Sequence, residues 1–111
     1  MDIVQTERGI NMVTIGEYKE IYNDQTMPSI RDFVSAEEWN GKNDLLKFLA
    51  NGKVIATAAG RAVDVFTGDI IPGELVFMTS GDYGWRSDLI YYVSKYNLKP
   101  SGGLVNKILA N

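Results

Sequence analysis

The sequence predicts an α+β fold: a three- to four-stranded antiparallel meander sheet with short helices packed on one face. Three observations carry that expectation. Apolar residues recur at helical spacing in the first half of the chain and again over 88–96. Between them, residues 53–80 hold alternating, β-branched runs punctuated by Gly and Pro, with linkers short enough to favour antiparallel returns. The chain's 111 residues and 45 % hydrophobic content suit a single domain, 1–111, with its own core.

The elements follow in order. Residues 1–13 read as a flexible N-terminal extension; "MDIVQTERG" opens acidic and lacks the apolar stretch of a secretory signal. Thr14 and Glu17 have the spacing of a capping box, and Tyr18, Ile21 and Tyr22 share one helical face, so a helix is expected over 15–22. A strand from Met12 to Ile15 is the competing reading. Pro28 disfavours helix at Met27, and Ser29 caps a second short helix with Ile30, Phe33 and Val34 on one face. Ser35 and Glu38 repeat the capping spacing and lead to Trp39, expected to plug the core.

The clearest helix starts at a cap on Asn43, has Asp44 in its first turn, buries Leu45, Phe48 and Leu49, and stops at Asn51-Gly52. Residues 53–60 then form a first strand, a turn falls at Gly60-Arg61, and 61–66 form a second strand. Alternation along it sends Ala62, Asp64 and Phe66 one way and Val63 and Val65 the other. Residues 74–80 make a third strand, and "DYGW" a short fourth.

The run "TSGDYGWRSDLIYYVSKY" is the densest part of the chain. Ser87 or its neighbour is expected to cap a helix with Asp88 in the first turn. Leu89, Tyr92, Val93 and Tyr96 fall on its buried face, while Tyr91 lies about 200° round from Leu89 and should point outward. Ser101 caps a last short helix with Leu104, Val105 and Ile108 inward.

Composition narrows the chemistry. Eleven Lys and Arg against fourteen Asp and Glu give a net charge of −3 without a basic cluster, which argues against nucleic acid as a partner. No apolar run approaches the length of a membrane span. The absence of Cys fits a cytoplasmic protein, and with no His either, thiol and His-based nucleophilic chemistry and zinc-thiolate sites are excluded. "GDYG" and "PSGG" match neither a phosphate loop nor a dinucleotide fingerprint, so no cofactor or metal is expected.

What survives is carboxylate chemistry or an oxygen-ligand metal site built on Asp64, Asp69, Asp82 and Asp88. Each has a structural role to weigh against it: Asp69 and Asp82 are turn formers and Asp88 a helix-start residue. Asp64 is the odd one, a carboxylate inside an expected strand, with Arg61 and Arg86 as candidate partners. The stronger reading is a non-enzymatic protein-binding module. Tyr83, Trp85, Arg86 and Tyr91 are residue types that dominate interface energetics, presented on a turn beside a rigid helix. A small-ligand domain with a pocket lined by Trp85 and tyrosines is the alternative. A free sheet edge also offers a homodimer contact.

Residues 27–98 carry a recognisable pattern, "MPSIRDF…LLKFLANGKVI" followed by "DVFTGDIIPGELVFMTSGDYGWRSDLIYYVSKYNL". The pattern resembles that of small uncharacterised bacterial proteins with a DGxYxWxSDLxYYxxKYxL-type ending. Such proteins look like ones encoded near toxins or on mobile elements. The resemblance therefore implies an immunity-type role and a partner such as a toxin or other bacterial protein. After Leu98 the chain departs from that pattern with "KPSGG", which implies a last helix that packs differently.

Overall fold

The computed structural model describes residues 12–110. Of the expected N-terminal extension, residues 1–11 lie outside the described range. The fold is α+β, with four α-helices, a short 3-10 turn and a four-stranded sheet among the described residues. In chain order the elements are β1 (Val13–Thr14), α1 (Lys19–Tyr22), the 3-10 turn Ile30–Asp32, α2 (Lys42–Ala50), β2 (Lys53–Thr57), β3 (Val76–Ser80), β4 (Tyr83–Arg86), α3 (Asp88–Tyr96) and α4 (Gly102–Leu109).

The sheet is mixed and is not the expected antiparallel meander. Its order is β1-β4-β3-β2, with β1 parallel to β4 and the other pairs antiparallel. The competing strand reading near Met12 to Ile15 therefore prevails over the helix from 15. Val13 donates to the Asp82 carbonyl and Ile15 to the Gly84 carbonyl, both at 2.8 Å, which draws this segment onto the sheet edge. Gly16 then turns the chain at φ 86, a conformation that interrupts any helix passing through it. The Thr14–Glu17 capping box does not form; helix begins only at Lys19, with Tyr18 as an N-cap that makes no side-chain capping bond.

The second correction concerns residues 61–66. They are not a sheet strand paired with 53–60; strand-like pairing within them reduces to one bridge, Val63 to Ile70. Instead β2 and β3 continue past the sheet as the two sides of one long arm. Its rungs are Ala58 N–H to the Leu75 carbonyl, Ile71 N–H to the Ala62 carbonyl and Asp64 N–H to the Asp69 carbonyl, 2.8–2.9 Å each. The turn falls at the tip, after Asp64, and not at Gly60-Arg61. Asp64 causes this: its Oδ1 accepts from the N–H groups of Phe66 and Thr67, at 2.7 and 3.2 Å, so the backbone curls where a strand would have run on.

Smaller differences have similarly local causes. Ser29 caps only the single 3-10 turn, accepting from Arg31 N–H. Ser35 holds a turn by accepting from Glu37 N–H. Helix α2 begins one residue before Asn43, with Gly41 at the N-cap position. Ser101 stands at the N-cap of α4 without a side-chain capping bond.

The core fills the space under the sheet face that carries Met78 and Trp85. Trp85 is 0 % exposed and is joined by Leu45, Leu49, Leu89, Tyr92, Val93 and Leu98. Phe48 of α2 packs its ring 5.4 Å from that of Trp85 and 6.1 Å from that of Tyr83. Ile108 and Val105 of α4 are buried as expected. Trp39 plugs the rim, its Nε1 donating to the Leu98 carbonyl. Lys42 is buried at the C-terminal end of α3, where its ammonium donates to the Ser94 carbonyl and to Asn97 Oδ1. A cation there complements the carbonyl end of the helix.

Candidate functional site: an arm latched over a helix

Asp64 sits at the tip of the arm and is 1 % exposed. While Oδ1 holds the turn, Oδ2 accepts from the hydroxyls of Tyr91 and Tyr96, 2.6 Å each. Both tyrosines come from α3, so the carboxylate latches the arm onto the helix. Tyr92 adds a second fastening: its hydroxyl accepts from Val65 N–H at 3.0 Å and donates to the Val63 carbonyl at 3.2 Å. Lys95 closes the cluster, donating to the Tyr91 hydroxyl at 3.1 Å with Asp64 Oδ2 at 3.9 Å. The Phe66 ring packs tilted against that of Tyr96 with centroids 4.6 Å apart, and the Arg31 guanidinium lies over the face of Phe66.

Burial works against the Asp64 charge, but the two phenols and two backbone N–H groups outweigh it and hold the carboxyl down at about 2. The bond to Asp64, then burial, raises Tyr96 to about 12, and burial raises Tyr92 to about 12. Lys95 is pushed up chiefly by its bond to Tyr91. Every one of these shifts favours the protonation states that the hydrogen bonds require.

The second charged pair fastens the sheet to α3. Arg86 Nε and Nη2 meet the two Asp88 oxygens at 3.2 and 2.8 Å, and Nη1 donates to the Ile21 carbonyl at 3.2 Å. Its guanidinium lies over the Tyr22 ring. Burial nevertheless pushes the Asp88 carboxyl up against the pull of Arg86. Ser87, at the N-cap position of α3, spends its hydroxyl on the arm: Oγ accepts from Val76 N–H and donates to the Glu74 carbonyl.

Between these two fastenings the arm bridges α3 and leaves an open groove of about 490 Å³. Ala62, Ile71, Pro72 and Leu75 line one wall, and Ile90, Tyr91 and Ser94 the other. Glu74 and Asp88 lie among its lining groups, as does Lys95.

The residues singled out from sequence are dispersed over several surroundings. Trp85 is sealed in the core, its Nε1 without a hydrogen-bond partner among the described residues, and is not presented to solvent. Tyr83 leans on Phe48, on the sheet face opposite to Arg86. Tyr91 does not point outward; it is half-buried on Asp64. Of the four carboxylates, Asp64 is bonded to the tyrosines and to neither Arg61 nor Arg86. Asp88 is paired with Arg86, Asp82 is an exposed turn residue, and Asp69 is exposed on the arm beyond the Asp64 turn. Among the described residues no three acidic side chains group as ligands for a cation. Sequence reasoning does not find Tyr96, Tyr92 and Lys95 as companions of Asp64. The signal for them is the misplaced strand aspartate together with three tyrosines in one helix.

No protein family, curated protein or solved structure matches the chain.

Proposed function

We propose that the chain is a non-enzymatic protein-binding module of immunity or inhibitor type, acting in the cytoplasm, and that it receives its partner in the groove between the arm and α3. One observation carries this reading: the groove's two walls are joined by a polar cluster, centred on the buried Asp64, whose acceptors and donors are matched. A recess held open in this way needs little ordering when a partner enters, which lowers the cost of binding. The carboxylates give catalysis little support. Asp64 has both oxygens occupied and stays ionised far below neutral pH, and Asp88 is committed to Arg86. A small-molecule ligand is the second reading, favoured by a recess whose volume falls in the range of such sites.

Ser94→Trp tests the proposal. Ser94 is exposed on the groove side of α3, so the indole fills the recess without entering the core. Wild type, Ser94→Trp and a distant control, Glu37→Lys, are used as bait in extract of the source cells. A partner held by wild type and the control but lost by Ser94→Trp supports the groove. A partner retained equally by all three places binding elsewhere and defeats this reading.

A further inference from the structure

The charges lining the groove are unequally satisfied, and that imbalance identifies what the groove fits. Lys95 is compensated by Asp64 and bonded to Tyr91, and Asp88 is compensated by Arg86. The carboxylate of Glu74 is exposed and has no partner among the described residues. It stands on the arm between Gly73 and Leu75, in the same wall as the apolar Ile71 and Leu75 and across the groove from Ile90. Pro72 lies in the same wall and has no N–H to offer, so a partner cannot extend the arm there by a regular strand ladder. Recognition at this place falls to side chains.

We propose, resting on the binding-module reading above, that the groove takes a segment of a partner protein in which a basic side chain stands directly beside an apolar one. The apolar group enters between Leu75 and Ile90, and the ammonium or guanidinium pairs with Glu74. The recess runs along α3 from Ser87 to Lys95, about 12 Å at helical rise, which suits a few extended residues.

The test uses three tripeptides, acetylated and amidated: leucyl-lysyl-leucine, leucyl-seryl-leucine and leucyl-glutamyl-leucine. Each is titrated into labelled full-length protein, and amide NMR shifts are followed at Ile71, Leu75, Ile90 and Ser94. The expected result is saturable shifts at these positions, with the lysyl peptide binding about threefold tighter than the seryl one and the glutamyl peptide weakest. Glu74→Gln should erase the preference while leaving the seryl peptide unchanged, and Ser94→Trp should remove all three responses. Equal affinities for the three peptides would overturn the basic-beside-apolar inference while keeping the groove as a site. No shift at the groove with any peptide would overturn both.

Discussion

Asp64 shows how one side chain can redirect a chain. An aspartate is poorly placed in a strand because its carboxylate competes for nearby backbone N–H groups. Here it wins that competition at Phe66 and Thr67 and has an oxygen left for two phenols. Asp64→Asn keeps the shape but replaces one acceptor with a donor facing other donors. We expect it to cost about 2–3 kcal/mol in urea unfolding at neutral pH. The pH dependence has a definite sign. Folded Asp64 titrates at about 2 against an ordinary 3.8. Between those values the unfolded chain binds more protons, so its contribution is complete above about pH 4 and is lost as pH falls toward 2. Asp88, raised by burial, has the opposite slope, favouring the folded state as it protonates. Urea midpoints from pH 5 to 2 should therefore fall less steeply in Asp64→Asn than in wild type. An unchanged slope would show that the latch does not carry the acid sensitivity.

At the scale of elements, the joint between α2 and β2 is governed by Gly52. A Cβ built there would run into the Trp85 ring and come within 3.3 Å of the Thr79 carbonyl. The helix stops at Asn51 as expected, but Gly52 does not take the left-handed conformation of a glycine cap; its lack of a side chain instead lets the indole lie close against the backbone. Gly52→Ala should destabilise the protein by about 1–3 kcal/mol, with a change in tryptophan fluorescence reporting the displaced ring. The arm is decided at the same scale. Its period-2 alternation is real, since Ala62 and Asp64 are buried and Val63 is exposed between them. What alternation does not state is which segment is the partner: 61–64 pairs forward with 69–71 across the Asp64 turn, not back with 53–60.

For the molecule as a whole, the conspicuous surface is the sheet edge formed by β2, which no other strand among the described residues covers. Every residue of β2 is exposed, with Val54 at 51 % and Ile55 at 54 %. The helical layer that covers Met78 and Trp85 does not reach this strand. Lys53 and the irregular register between Val54 and Ala56 blunt the edge against pairing with other chains. Replacing Val54 by Lys should raise the solubility limit and reduce association seen by light scattering at high concentration, while the melting temperature stays within about two degrees. A large loss of stability would mean that Val54 is part of the monomer's packing after all.

The sequence by itself determined the α+β class, a helix between Asn43 and Asn51 with Leu45 and Leu49 inward, the buried face Leu89, Tyr92 and Val93, and the oddity of Asp64. These are local properties, set by periodicity and side-chain chemistry within a few residues. Tertiary structure alone decided that residues 13–14 join β4 in parallel, that 53–80 form one arm, and that the arm folds over α3. Pairing between segments depends on which backbone groups and buried charges find mutual satisfaction, and that is a property of the assembled chain. The tyrosines were visible as a helical face plus an outlier; only the folded molecule shows that Tyr91 and Tyr96, five residues apart, converge on a single carboxylate oxygen brought from the arm.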